Sequence, residues 1–262
     1  MRIAVCLSGQ PRTAVGCFPY IYTNIIKPNN ADVFFHTYFD PDNPYMEKTH
    51  IGRGDCYLHS NIIEEIIYLY KPVAYLVEKP KNFLKPTLEM SETRLKRSME
   101  FNSNKNWSRE QHKHHTIKQM MSMFYSIFKA NELKENYANE NGFVYDYVIR
   151  VRFDLLPLTP LDCTLYDPNK IYYLNLGHPD HLISDWINFG SNLVMNIYAS
   201  IYLHIEYLLS PDFYLLKDRF PSTLEASDTC GGYYEYMVRD IMSLHKIESR
   251  TMNVHYTLAN NT

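Results

Sequence analysis

The chain lacks any apolar run that approaches the roughly 18 residues a membrane span requires. Its first apolar stretch, in "MRIAVCLSGQPRT", breaks at Ser8 and is too short for the hydrophobic region of a secretory signal. It also lacks a strong charge of either sign. Lys and Arg number 26 against 29 Asp and Glu, a net charge of −3, so no global field draws nucleic acid or an anionic membrane. The five cysteines (Cys6, Cys17, Cys56, Cys163, Cys230) are scattered, odd in number and form no C-x-x-C. That pattern argues against a disulfide framework or a zinc site and for a reducing compartment. A cytoplasmic location is expected, and without a secretory signal the N-x-S/T matches at Asn106 and Asn260 carry no weight. Neither G-x-G-x-x-G nor a Walker loop occurs, and there is no internal repeat.

What is present suits an ordinary soluble domain. With 262 residues, 45% of them hydrophobic, the chain has ample core, and no boundary divides it. "RIAVCLSG" reads as a buried strand ending in Gly9, and "TAVGCFPYIYTNII" has helical spacing up to Pro28. "DVFFHTYF" is a second strand, Asn61 with Glu64 makes a capping box for a helix to Tyr70, and "VAYLVE" is a third strand. This alternation predicts a parallel α/β sheet. Residues 79–107 break the rhythm with a polar, basic segment that reads either as a mobile excursion or flap able to close over a ligand or as a decorated surface loop with no part in turnover. Ser108 and Gln111 cap a helix over about 109–137 with one apolar stripe. Strands follow at 146–154, 170–176 and 184–190, then helices from Ser191 and over 232–244, and a last strand in "RTMNVHYTL".

The segment "YDYVIRVRFDLLPL" (145–158) carries the chemistry. Side chains alternate along a strand, so Tyr147, Ile149, Val151 and Phe153 line one face. Asp146, Val148, Arg150, Arg152 and Asp154 line the other. Buried charges are costly unless paired. One reading is an Arg–Asp network bracing the sheet. The other is a diphosphate site, with Arg150 and Arg152 as its cations, where Arg152 offers its fork of donors and Asp154 ligates a hard cation, Mg²⁺ or Mn²⁺, or orients a sugar hydroxyl. In an open parallel sheet, ligands bind beyond the carboxyl ends of the strands. "SGQPRT" would present Ser8, Gly9, Gln10 and Arg12 there, although the same residues also make a plain tight turn.

These segments together, "SGQPRT", "DVFFHTY", "QMMSMFYSIFKANEL", "YDYVIRVRFDLL" and "DWINFGSNLVM", resemble small glycosyltransferases of the GT-A fold, over residues 1 to about 200. The resemblance implies a Rossmann-like nucleotide-sugar domain in which Arg152-x-Asp154 stands where most such enzymes carry D-x-D. One acid is thus replaced by Arg152, which leaves a divalent cation (Mn or Mg) an open point. The resemblance also implies that Asp185 touches sugar hydroxyls or the acceptor. Gln119, Ser122 and Tyr125 would contact the donor, and His255 would be a further metal ligand. Bland alternatives stand beside each: an exposed strand-start Asp, ordinary helix polarity and a plain surface histidine.

Other candidates compete. Asp40-Pro41-Asp42 is a literal D-x-D after a strand, yet "DPDNP" is also turn chemistry. "HKHH" (112–115) reads as solvated helix turns rather than a metal tract, and "GHPDHL" (177–182) as a surface loop. Glu225, Asp228 and Glu235 flank "TCGG", and Glu235 is taken with Asp185 as a catalytic acid or base. The expected activity is sugar transfer from a nucleoside diphosphate sugar to a hydroxyl of a glycan or small molecule. A nucleotide-sugar-binding module without catalysis and an α/β nucleotidyl- or phosphotransferase are the alternatives.

Overall fold

The computed structural model describes residues 1–46, 56–83, 88–90, 92, 95–96, 99, 106–175, 183–212, 233–252 and 255–259, with only the backbone at 233–236 and 258. In chain order its elements are β1 (Ile3–Gly9), α1 (Ala14–Ile21, continued by a wider π turn at Tyr22–Ile26), β2 (Asp32–Tyr38), β3 (Tyr45–Met46), β4 (Cys56–Tyr57), α2 (Ile62–Tyr70), β5 (Ala74–Glu78) and α3 (Arg109–Glu140). There follow β6 (Tyr147–Arg152), β7 (Leu155–Pro157), β8 (Ile171–Leu174), β9 (Ile187–Ser191), α4 (Asn192–Ala199), α5 (Ile201–Leu209), α6 (Tyr233–Leu244), β10 (Ser249–Met252) and β11 (Tyr256–Leu258).

Seven strands form the central sheet in the order β10-β8-β9-β6-β1-β2-β5. All neighbours pair in parallel except β9, which runs against both β6 and β8. The expected Rossmann-like α/β fold, a mostly parallel sheet flanked by helices, is the observed one. Its strands are apolar on both faces because both are covered. Val5, Leu7, Val33, Phe35, Ile149 and Val151 pack with α1 and α2 on one side. Ala4, Cys6, Phe34 and Val148 pack with α3 to α6 on the other.

Local chemistry sets the boundaries. Ser108 and Gln111 form a reciprocal capping box at the start of α3. At α2, Asn61 occupies the cap position but its side chain makes no capping bond, so the predicted box with Glu64 is not formed. That helix ends where Lys71 turns left-handed (φ 45°) ahead of Pro72. Lys134 of α3 is fully buried and ties the helix to α4 through Asn192 and through Asn196 at 2.9 Å, with Glu135 at 2.7 Å.

Two predicted strands are each divided. The strand read over 146–154 stops at Arg152, turns at Phe153 and Asp154, and resumes as β7. The strand read in "RTMNVHYTL" splits into β10 in the main sheet and β11, which pairs antiparallel with β7. Periodicity alone does not register these breaks, because the alternation continues through them. Part of the 79–107 excursion, and all of 177–182, Glu225, Asp228 and Cys230, lie outside the described residues. Within the excursion, Phe83, Met90 and Leu95 are buried against the α3 side of the core.

Gly190 shows how closely β9 is packed. A Cβ there would meet the Lys170 carbonyl oxygen at 2.7 Å and Val194 Cγ1 at 2.9 Å. We therefore expect Gly190→Ala to lower stability by about 1–3 kcal/mol, read as a shift of the urea midpoint at unchanged slope. An unchanged midpoint would contradict this packing.

Candidate functional site

Parallel pairing of β1 with β6 sets Cys6 beside Arg150 and Ser8 beside Arg152. Side chains of one parity share a face, so Ser8, Arg150 and Arg152 stand on the same side of the sheet near its carboxyl edge. Antiparallel pairing of β6 with β9 then sets Asn188 directly opposite Arg150.

Arg150 is only 3% exposed. Its Nε donates to Ser8 Oγ at 3.1 Å, while its Nη1 is buried with no hydrogen-bond partner among the described residues. No carboxylate among them forms an ion pair with it. Across the strand, Asn188 is fully buried; its Nδ2 donates to the Ser184 carbonyl at 2.7 Å and its Oδ1 has no partner there either. Buried polar groups are normally satisfied, so an unfilled donor opposite an unfilled acceptor calls for an explanation.

Arg152 is differently placed. Its Nε and Nη2 donate to the two oxygens of Asp154 at 2.9 and 2.8 Å, and its Nη1 lies 3.6 Å from Asp185 Oδ2. The fork predicted for a diphosphate thus grips Asp154, as in the bracing network weighed from the sequence. The turn at Phe153–Asp154 makes this grip feasible, since in a continued strand both side chains would stand out from one face. Asp185, 5% exposed, sits in a bend before β9 rather than starting the strand, and Arg152 is its ion-pair partner.

A second network reaches the same edge from α3. Ser126 Oγ accepts from the Gly9 amide at 3.2 Å and meets His36 Nδ1 at 2.8 Å. His36 Nε2 meets Glu78 Oε2 at 3.0 Å, and Lys81 lies 2.7 Å from Glu78 Oε1. Burial pushes the His36 imidazole from 6.5 down to about 4, outweighing Glu78. Burial alone would raise Glu78, but hydrogen bonds from Lys81, His36 and Tyr125 prevail and hold its carboxyl at about 2. Near neutrality the ring is therefore neutral, with Nε2–H donating to the carboxylate and Nδ1 accepting from the Ser126 hydroxyl. Gly9, at φ +125°, needs glycine's backbone freedom to end β1 here.

The structure thus gathers Ser8, Arg150, Arg152, Asp154 and Asp185 in one group; Gly9 meets α3 at Ser126, next to Tyr125, and the Ser122 carbonyl accepts from the Tyr38 hydroxyl at 3.4 Å. Tyr125 accepts from Lys81 and contacts the rings of His36, Tyr38 and Phe83. Gln10 and Arg12 lie half-buried between β1 and α1, and Gln119 half-buried on α3, beyond Ser122 toward its N-terminus. The side chain of Glu235 lies outside the described residues. Asp40 and Asp42 form a turn, with Asp40 Oδ1 accepting from the Asp42 amide at 3.1 Å, and Lys79 lies 2.9 and 2.6 Å from the two carboxylates. His112, read as solvated, is buried against Trp107 at 5.3 Å. Sequence reading missed His36, Ser126, Glu78, Lys81 and Asn188. Only the polar breaks at His36 in "VFFHTY" and Asn188 in "DWINFG" could have signalled them.

The described residues do not fit a protein-held divalent cation. Both Asp154 oxygens accept from Arg152, and Asp185 faces the same guanidinium. His255 is exposed and pairs with Leu158, whereas Asp154 pairs with Ala259. Four residue pairs, about 13 Å of strand, separate the two. No group of three His, Cys, Asp or Glu among the described residues could hold a metal ion.

No protein-family model and no curated protein matches the chain. Among solved structures, it is similar to the glycosyltransferase GlyE of Streptococcus pneumoniae TIGR4, at 10% identity and a TM-score of 0.42, over 97% of this chain and 46% of that one. The chain spans less than half the length of that protein. No described helix is long and apolar enough to cross a membrane.

The His36–Glu78 network fixes a pH dependence. The unfolded imidazole binds a proton below about 6.5 and the folded one only near 4, so the unfolded state holds more protons between these values. Stability must fall as pH drops from 6.5 toward 4, by up to about 3 kcal/mol. Glu78, held down from 4.5, continues the loss below 4.5. His36→Gln should flatten the dependence between pH 6.5 and 4 in denaturant titrations; an equally steep loss in the variant would exclude His36 as its source.

Proposed function

We propose that the chain is a GT-A-like glycosyltransferase, built as one domain on this sheet, that moves a sugar from a nucleoside diphosphate sugar to an acceptor hydroxyl. The observation that carries this reading is Arg150, a buried guanidinium with no anionic partner among the described residues, at the carboxyl edge where parallel sheets bind ligands. An uncompensated buried cation is expensive, and an anionic ligand supplies the missing charge. Ser8, Gly9, Gln10 and Arg12 contribute polar groups from the same edge.

In the transfer, the bond between the anomeric carbon and the diphosphate oxygen breaks and its electron pair leaves on the diphosphate. The acceptor oxygen bonds to that carbon and gives up its proton. Arg150 stabilises the charge that gathers on the leaving diphosphate. Asp185, a nearly buried carboxylate whose described contact is a 3.6 Å approach to Arg152, is the residue we assign to the acceptor proton or a sugar hydroxyl. Glu235 is the alternative base. Ser122, Tyr125 and Gln119 would face the donor from α3. The four described cysteines are free thiols, which suits a reducing, cytoplasmic setting.

One feature favours a second reading, a nucleotide-sugar-binding module without turnover: Asp154 is fully engaged by Arg152. A panel of nucleoside diphosphates, triphosphates and nucleotide sugars tests both. Diphosphates and nucleotide sugars at a hundredfold excess over Kd should raise the unfolding temperature by roughly 5–10 °C. Released nucleoside diphosphate marks a transferase, and its absence with binding intact marks the module. Asp185→Asn should bind as before while turnover falls at least about a hundredfold. Protection by triphosphates alone would favour the nucleotidyl- or phosphotransferase.

A further inference from the structure

Arg152 raises a question that diphosphate binding does not answer. It is paired with two carboxylates, the groups that a hard cation would take. It grips both oxygens of Asp154, at 2.9 and 2.8 Å, and sits 3.6 Å from Asp185. Asp154 is 13% exposed at its side chain and Asp185 7%. Two carboxylates this close and this buried repel each other unless a positive charge stands between them. The guanidinium is that charge. It is planar, permanently ionised and covalently fixed to the strand end, so unlike a bound ion it cannot exchange with solvent.

We propose that Arg152 is a built-in substitute for a divalent cation: it holds Asp154 and Asp185 in place, neutralises them, and excludes metal from the site. Resting on the transferase reading, this makes nucleotide-sugar binding independent of metal. Arg150 supplies the positive charge that meets the diphosphate, and Arg152 the charge that keeps the carboxylates from opposing it. Arg152 acts through Asp154 and Asp185, and is a positioning residue rather than a catalytic one.

The proposal predicts a gain. Removing Arg152 frees two neighbouring carboxylates, a donor set that hard cations favour. Binding of Mn²⁺ to the protein alone, followed by electron paramagnetic resonance, tests this without any nucleotide. The wild type should leave the free Mn²⁺ signal unchanged. Arg152→Ser should take up about one Mn²⁺ per chain, and Arg152→Lys, which keeps the charge, should take up none. Uptake by the wild type that is lost in Asp154→Asn would overturn the proposal, and this arm does not depend on Arg152→Ser folding. So would a folded Arg152→Ser that takes up no Mn²⁺. A second arm titrates a nucleoside diphosphate into the wild type with chelator and with Mn²⁺. Equal affinity in both supports metal independence, and a tenfold or larger gain with Mn²⁺ overturns it. Absence of nucleotide binding in both conditions would count against the transferase reading alone, and the Mn²⁺ arm would still decide the role of Arg152.

Discussion

A buried positive charge with no counter-ion among the described residues is the constraint on which this site depends. Arg150 stands in the middle strand of the sheet, 3% exposed, with a hydrogen bond to Ser8 and an Nη1 unfilled among the described residues. Desolvating a guanidinium is costly, and pairing normally offsets much of that cost. A few ångströms along the same strand, Arg152 has two carboxylate neighbours. Among the described residues, one arginine is thus paired with two carboxylates and the adjacent one with none. On the reading proposed above, that asymmetry reserves Arg150 for an anion.

The fold supports this arrangement from three directions. Pairing of β1 with β6 brings Ser8 into reach of Arg150. The antiparallel β9 carries Asn188, the bend before it carries Asp185, and its packing leaves no room for a side chain at Gly190. The long helix α3 fastens the end of β1 through Ser126, which is joined to the His36–Glu78 pair. β6 holds both arginines, and Asp154 and Asp185 lie in the short turn and bend next to β6 and β9.

Much of this was legible in the sequence, because hydrophobic alternation and the Ser108–Gln111 cap are local signals. The α/β class, the central strands, the helix read over about 109–137 and the grouping of Arg150, Arg152 and Asp154 follow from them. Other features depend on contacts between residues far apart in the chain. Nothing near Asp154 announces that the strand turns there and lets Arg152 fold back onto it. His36, Ser126 and Glu78 come from three separate elements and meet only in the folded state. From the sequence, Arg150 and Arg152 stand alike as diphosphate candidates. Burial and pairing distinguish them, with Arg152 on two carboxylates and Arg150 on Ser8, and neither quantity can be read from spacing.

The most direct measurement is a paired one on Arg150→Met, which keeps an apolar side chain of comparable length and removes the charge. Unfolding free energy and calorimetric affinity for a nucleoside diphosphate are determined on the same preparation. If the guanidinium is held for a ligand, the variant is as stable as the wild type or more so. Its affinity falls by about 1.5–3 kcal/mol, roughly 10- to 150-fold. A variant destabilised by 2 kcal/mol or more, with unchanged affinity, would show Arg150 to be a structural brace and contradict the account.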